Sequence, residues 1–438
     1  MNSPVKTIVL FFIALILVGT ILLCLPFSRH DNVVLSILTC LFTATSAVCV
    51  TGLSVVDIGT YYSTFGQWII LILIQIGGLG YMLVSTGIGF LMGKIALKDR
   101  KIMQEIFDIS SFDDLLKLLK KIILISLGIE FIGTVILTFI FMKTLPLGKA
   151  IYYAVFHSIS AFCNAGFSLF SNSLEGFSET PSLLYTIALL IILGGLGFFV
   201  LVDVIDKYRG KNIRLTFHSK VVLWMTAGLI LFGFCSFFLS EILILFFDDK
   251  SIPYIINNSF FHIVSARTAG FNSIPAGLIT NFGAFVIIVL MFIGGAPGST
   301  AGGVKITTLP LVFVFLRSLL KGNSSYPFAG RNMDYDLIKK SLAIFILMIL
   351  FVSASVTALL WTEQDFEPIK VMFEAVSACC TVGLSLGITS AVSDLGKMIL
   401  IISMFIGRVG TVTVLIYFMN VKFMQNNIKY PDAKVLIA

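Results

Sequence analysis

The sequence predicts an all-α membrane protein. Its fold class is four M1–pore helix–M2 repeats, with eight spans and four re-entrant pore loops around a pseudo-fourfold central pore. Three observations predict it. The first is composition: the 438 residues are 58% hydrophobic and 12% charged, with mean hydropathy +1.02. A soluble domain cannot carry that apolar load. The second is the length of the apolar runs, which continue for about 20 residues rather than alternating in short strands. The third is a short phrase written four times: "TSAVCVTGLS", "ISAFCNAGFS", "VSARTAGFN" and "VSACCTVGLS".

The long apolar segments lie near 7–27, 66–93, 121–143, 182–205, 221–247, 281–316, 341–361 and 395–421. The first follows Lys6. It is too long for a secretory signal and lacks a small-x-small cleavage site, so it reads as a retained helix. Connections 94–121, 206–220 and 317–340 hold seven, five and five Lys/Arg; connections 27–65, 143–181, 248–280 and 362–393 hold one, two, two and one. The basic set marks the cytoplasmic side of a cytoplasmic membrane, and both termini fall on that side. The net charge of +7 is thus mostly a topology signal. No basic stretch is interleaved with aromatics, which argues against nucleic-acid binding.

The remaining connections each contain a semi-apolar stretch too short to span: "VVLSILTCLFTATSAVC", "AIYYAVFHSISAFC", "YIINNSFFHIVSA" and "IKVMFEAVSACC". Such a stretch suits a helix that dips into the bilayer and returns. Each ends at one copy of the phrase. The phrase glycines Gly52, Gly166, Gly270 and Gly383 are separated by 114, 104 and 113 residues. A fixed spacing implies repeated structural units. We expect repeat 1 over 1–98, repeat 2 over 99–211, repeat 3 over 212–330 and repeat 4, with the C-terminal tail, over 331–438.

A backbone that re-enters the bilayer and runs extended has carbonyls without helix partners. That is tolerated only inside protein or along a wet cavity. Four such loops around one axis would aim rings of carbonyls at a central path and replace a cation's water shell, the device of potassium selectivity. Glycine admits the backbone angles this needs. The preceding short helices point partly negative C-terminal ends at the same place. The candidate filter is Val50, Thr51 and Gly52; Asn164, Ala165 and Gly166; Thr268, Ala269 and Gly270; and Thr381, Val382 and Gly383. Thr381-Val382-Gly383 matches the first three letters of the channel filter TVGYG.

A second aligned feature follows each copy: "QIGGLGY", "ILGGLGF", "FIGGAPG" and "FIGRVGT", 25, 28, 24 and 24 residues after the phrase glycine. In the fourth, Arg408 replaces the second glycine, and a mid-membrane guanidinium marks a pathway or an ion pair. In the third, "GGAPGSTAGGVKITT" over 294–308 holds five glycines and Pro297, which no regular helix accommodates. We expect a broken span there, with a loop across the pathway acting as a gate. Its candidate residues are Gly294, Gly295, Gly298, Ser299, Thr300, Gly302, Gly303 and Lys305, together with Arg408. The run matches neither GxxxxGK[ST] nor a strand-loop-helix context, which argues against phosphate cradling.

The four phrases, the "GGAPGSTAGG" loop and the "GRVG" of the last span resemble the Trk/Ktr/HKT superfamily of potassium-uptake proteins over essentially the whole chain. The absence of extra N-terminal spans looks more like the KtrB membrane subunits than the TrkH type. The resemblance implies potassium as the transported ion, a homodimer with one pore per protomer, an intramembrane gating loop, and regulation by a cytosolic nucleotide-binding ring of KtrA-type RCK subunits. It also implies sodium dependence for the Ktr branch. No covalently bound cofactor is implied.

Other residues receive plainer readings. Cys49, Cys163 and Cys380 each stand three before the phrase glycine and read as small packing residues; Arg267 holds that place in the third unit. We expect Arg267 to form a structural pair with Glu374 on the neighbouring pore helix. His157 and His262 read as packing or hydrogen-bonding groups, and no Cys/His cluster has zinc-like spacing. Asp57, Glu175, Glu179, Asp248, Asp249, Glu363, Asp365 and Glu367 make the outer connections acidic. They are read equally as a cation-concentrating mouth or as solvated loop ends. Glu130, Asp203 and Glu241 have no partner assignable from sequence. The mixed-charge segment 94–121 and the apolar end of 428–438 read as surface or interface elements. An alternating-access carrier of another small cation or solute is the competing function. It loses ground because all four phrases fall on one side. No HExxH, GxSxG or paired-carboxylate constellation supports an enzyme.

Overall fold

A computed structural model describes residues 4–30, 35–91, 112–210, 214–247, 251–322, 325–411 and 413–414, excepting the side chains of 4–5, 80–91, 112–116, 243–247 and 276. The described chain is mostly helical. Four times, a long helix, a short helix and a further apolar helix follow one another. The long helices are α1 (Pro4–Cys24), α4 (Phe112–Phe141), α8 (Phe217–Phe247) and α12 (Tyr335–Thr362). The short ones are α2 (Ile37–Val48), α5 (Leu147–Phe162), α9 (Ile252–Ala266) and α13 (Pro368–Cys379). The third position is held by α3 (Thr64–Leu91), by α6 (Pro181–Gly195) with α7 (Phe198–Tyr208), by α10 (Asn281–Phe292) with α11 (Thr308–Leu320), and by α14 (Asp394–Val409).

Among the described residues, α1, α4, α8 and α12 contain helices long and apolar enough to cross a bilayer, and α6 with α7 makes a bent fifth. In these four spans no more than 33% of the most apolar window is buried, so most of each surface faces outward. In α4, Leu124, Leu127, Phe131 and Ile132 are all exposed. Exposed leucine, isoleucine and phenylalanine on a long helix suit lipid as the solvent. The chain is a multi-pass membrane protein.

Local sequence sets the helix ends. Ser36 caps α2 through the Thr39 amide, and Ser251 caps α9 through the Tyr254 amide, with Pro253 in its first turn. Thr280 and Ser393 cap α10 and α14 through the amides of Gly283 and Gly396. A glutamate at the end of the preceding long helix completes each cap. Glu241 accepts from the Thr280 amide at 3.1 Å and hydroxyl at 2.7 Å. Glu363 accepts from the Ser393 amide at 3.2 Å and from its hydroxyl. A carboxylate at a helix N-terminus is favoured by the helix dipole. Glu130 accepts from Gln75, and Asp203 accepts from Thr216, so Glu130, Asp203 and Glu241 each have a partner.

The units close into a ring. Each third-position helix packs on the short helix of the next unit: α3 on α5, α6 on α9, α10 on α13, and α14 back on α2. Without a hydrophobic drive between helices in lipid, small residues at the contact decide how closely they pack. Within the first, second and fourth units, the first glycine of the "GG" or "GR" stretch seats the third-position helix on the short helix of its own unit. A Cβ on Gly77 would overlap the carbonyl of Val48, one on Gly194 that of Phe162, and one on Gly407 that of Cys379.

Two expected continuous spans are interrupted. The apolar run 182–205 bends by 100° between α6 and α7, where Gly197 takes φ +88°. The run 395–421 leaves the helix at Val409, and Gly410 takes φ +97°. Glycine beyond a helix end adopts this left-handed geometry without a Cβ clash. In the second unit the break is also occupied: the Phe198 amide donates to Gly298 O at 3.0 Å. The mixed-charge segment 94–121 lies mostly, and 428–438 wholly, outside the described residues, as do Asp248 and Asp249.

Candidate ion pathway

Each short helix ends one turn before its glycine phrase, and the four phrases repeat one backbone pattern. The residue two before the glycine is left-handed without being glycine: Val50 at φ +55°, Asn164 at +58°, Thr268 at +69° and Thr381 at +50°. Such angles strain any residue with a Cβ, β-branched ones most. The glycines follow at φ +97°, +69°, +80° and +93°. Strain repeated fourfold at one position is built in by the surroundings.

Those surroundings include four serines that the sequence reading passed over. Ser46 and Ser377 accept from the amides of Gly52 and Gly383, each at 3.0 Å. Ser160 and Ser265 donate to the carbonyls of Phe167 and Phe271 at 2.8 and 2.6 Å. The signal was legible: a Ser-Ala pair opens all four copies, at 46–47, 160–161, 265–266 and 377–378. Between serine and glycine lie five residues in three copies and four in the third. The third copy lacks the counterpart of Val48, Phe162 and Cys379, whose carbonyls seat the helix glycines elsewhere.

The glycines form a closed ring, unit against unit. A Cβ on Gly52 would stand 2.5 Å from Ala165 O, one on Gly166 2.7 Å from Ala269 O, and one on Gly270 2.6 Å from Val382 O. One on Gly383 would overlap Thr51 O. Thr51, Ala165, Ala269 and Val382 are therefore all brought together, each with its carbonyl against the neighbouring glycine. Their side chains are fully buried. Among the described residues, the hydroxyls of Thr51, Thr268 and Thr381 are buried without a hydrogen-bond partner in the protein. On the side of the loops that follow the phrases, the ring opens into a cavity of 370 Å³. All four glycines, Asp57 and Glu175 line it. Burial holds the Glu175 carboxyl above its usual range, offset in part by the Asn272 amide donating at 2.9 Å.

On the other side lies the loop between α10 and α11. It folds on itself: the Gly294 amide donates to Val304 O at 3.0 Å, and the Ile306 amide to Gly295 O at 2.9 Å. Gly298 and Gly303 take φ +66° and +65°. Ser299 Oγ donates to Ala296 O at 2.6 Å and Lys305 Nζ to Ala301 O at 2.7 Å. The loop touches the second and fourth units as well as its own, and Arg408 links it to the first. The Thr300 hydroxyl donates to Phe162 O at 3.2 Å, and Gly302 lies so near Thr381 that a Cβ would stand 2.5 Å from Cys380 O. Arg408 donates to Thr300 O at 2.5 Å and to Gly77 O at 2.8 Å. Arg267 donates to Gly294 O at 3.5 Å.

A family model described as TrkH, cation transport protein, matches residues 1–429. The chain belongs to the TrkH family of cation transport proteins. As a TrkH-family transporter it is not an enzyme. It is 35% identical to the potassium/sodium uptake protein NtpJ of Enterococcus hirae, over 99% of this chain and 97% of that one. It is 37% identical to the Ktr system potassium uptake protein B of Bacillus subtilis, over 99% of this chain and 96% of that one. The crystal structure of the potassium transporter TrkH from Vibrio parahaemolyticus matches with a TM-score of 0.75 at 20% identity. That match covers 95% of this chain and 85% of the other, and shows a shared fold.

Within this TrkH-family chain one expected contact is absent. Arg267 and Glu374 do not pair. Arg267 ends α9 and turns to the loop at Gly294, whereas Glu374 lies more than one turn inside α13 and accepts from Thr389, beyond the phrase. The two side chains leave the ring in opposite directions. Glu374 belongs instead with the histidines. His157 Nε2 meets Ser168 Oγ at 3.0 Å, and His262 Nε2 accepts from the amides of Ser273 and Ile274 at 3.4 and 3.2 Å. All three tie a short helix to the loop after its phrase. Among the thiols, Cys163 donates to Gln75 at 3.4 Å, and Cys49 and Cys380 are buried.

Proposed function

We propose that this chain takes up potassium across the cytoplasmic membrane through a channel-like pore. The short helices and phrases act as four re-entrant pore loops, one in each of the repeats 1–98, 99–211, 212–330 and 331–438. The carbonyls of Thr51, Ala165, Ala269 and Val382 line the filter with those of the flanking phrase residues. The single observation that carries this reading is the ring of glycines, closed from Gly383 back to Gly52. A ring of buried backbone carbonyls replaces a cation's hydration shell. The three buried threonine hydroxyls without a protein partner support the same path, because an ion or its water would satisfy them.

The loop over 294–308, with Lys305 and Arg408, is the gate. It sits beneath the filter, touches the second and fourth units as well as its own, and places cationic groups where they oppose a passing cation. The curated relatives named for potassium uptake support the choice of ion. The name of NtpJ, which includes sodium, supports sodium dependence. The "Ktr system" name supports a multi-component assembly, which we read as a homodimer on a cytosolic nucleotide-binding RCK ring. The Lys/Arg bias supports an orientation with both termini in the cytoplasm.

Rubidium uptake into liposomes holding this chain alone tests the reading. Uptake that external potassium competes away, and an equal concentration of sodium does not, is the expected result. Equal competition by the two ions would overturn it. Repeating the assay with and without sodium tests the dependence.

A further inference from the structure

Three basic side chains, Arg214, Lys220 and Arg331, border a cavity of 510 Å³ that Phe217, Trp224 and Phe328 also line. The short hairpin of β1 (Pro327–Phe328) and β2 (Arg331–Asn332) builds one wall. It places the Arg331 guanidinium 5.0 Å from the centre of the Phe217 ring, and Phe328 meets that ring edge-on at 6.2 Å. The start of α8 builds the other wall. All three cations are exposed, and among the described lining residues there is no carboxylate.

The position in the membrane decides what this cavity suits. Phe217 begins the candidate span Phe217–Ile242, so the three charges stand at the end of a span. Trp224, two turns further in, is 79% exposed, and Leu231 and Phe232 continue the exposed apolar surface along the same helix. Tryptophan settles where headgroups meet hydrocarbon. A phosphate accepts charge-assisted hydrogen bonds from arginine and lysine. A free anion would engage the cations and leave the aromatic wall unused. An acidic soluble protein would not reach Trp224 inside the span. A basic pocket at the cytoplasmic end of spans matches an anionic headgroup with its chain alongside.

We infer that this cavity binds an anionic phospholipid. The phosphate lies between Arg214, Lys220 and Arg331, and an acyl chain runs along Trp224. The lipid then joins the start of α8 to the hairpin that follows α11, so it clamps the segment below the broken third unit.

The chain has three tryptophans, Trp68, Trp224 and Trp361, which makes fluorescence quenching informative. The full chain is placed in phosphatidylcholine nanodiscs containing a minor share of either brominated-chain phosphatidylglycerol or brominated-chain phosphatidylcholine. Stronger quenching by the anionic lipid is expected, and W224F should abolish the difference. R214Q, K220Q and R331Q should each weaken the preference by about fivefold. Equal quenching by the two lipids, or a preference that survives the triple substitution, would overturn the inference. So would loss of the preference in millimolar inorganic phosphate, which would make the cavity a soluble-anion site. Native mass spectrometry of the unaltered chain provides a reading independent of any variant: retained phosphatidylglycerol in excess of phosphatidylcholine is expected, and parity refutes the site. Both leaflets of a nanodisc carry the same lipids, so the result stands whichever side faces the cytoplasm.

Discussion

Arg408 of the fourth unit donates to Thr300 O at 2.5 Å and so holds the loop of the third. A second guanidinium nitrogen reaches Gly77 O in the first unit at 2.8 Å. Hydrogen bonds from a charged donor contribute roughly 1.5–3 kcal/mol each. Arg408→Ala removes both and frees the loop. Rubidium uptake by the variant in liposomes should rise by about tenfold or more. Arg408→Lys keeps a charge without the fork and should give a smaller rise. A fall in uptake with normal expression would mean that the loop is not a gate.

Gly383→Ser tests the ring. Gly383 sits at φ +93°, and a Cβ there overlaps Thr51 O. The strain of such a residue is about 1–3 kcal/mol. The backbone would turn its carbonyl away, and the rubidium-over-sodium preference should fall by about tenfold. Gly270→Ser should act in the same direction. Paired flux measurements with the two ions decide, and an unchanged ratio would remove these glycines from the filter.

The serines behind the phrases should show a subtler effect. Ser377→Ala removes the acceptor of the Gly383 amide, worth about 1 kcal/mol. Thermal unfolding in detergent should move by only a few degrees, while ion preference should drop measurably. Ser46→Ala should do the same at Gly52. Wild-type preference in both variants would show that the ring holds its shape without them.

Two glycine-to-alanine changes make an internal control. Gly77→Ala drives a methyl into the Val48 carbonyl and should lower the unfolding temperature sharply or prevent folding. Gly128, inside α4, has nothing within 4 Å of its added Cβ. Gly128→Ala should leave stability unchanged or raise it, since alanine is favoured over glycine in a helix by about 1 kcal/mol. Fluorescence-detected melting of the two proteins checks both halves.

Much of this molecule was legible in residue order because the bilayer writes plain rules. Apolar length marked the four long helices, and the too-short stretches before each phrase became α2, α5, α9 and α13. Glycine content located the break at 293–307. The break at Gly197 was missed. Its cause is a neighbour: Gly298 accepts from the Phe198 amide in the gap, and no feature of "GGLGF" itself announces that partner. The expected Arg267–Glu374 pair failed for a related reason. Sequence spacing placed both near the ring but not the direction each side chain leaves it. The serines were visible as a repeated dipeptide, yet a small hydroxyl beside glycines has no distinctive chemistry until its acceptor or donor is seen. Glu130, Asp203 and Glu241 found partners 55, 13 and 39 residues away, which periodicity cannot supply.

The closure of Gly383 on Gly52 also bears on how the protein is made. The first quarter of the ring enters the membrane early in synthesis, and its counterpart arrives only with the last repeat. A chain halted after its third repeat has three quarters of a ring and no enclosed path. Under the proposed function, the ion site is therefore completed only by the last part of the chain to be made.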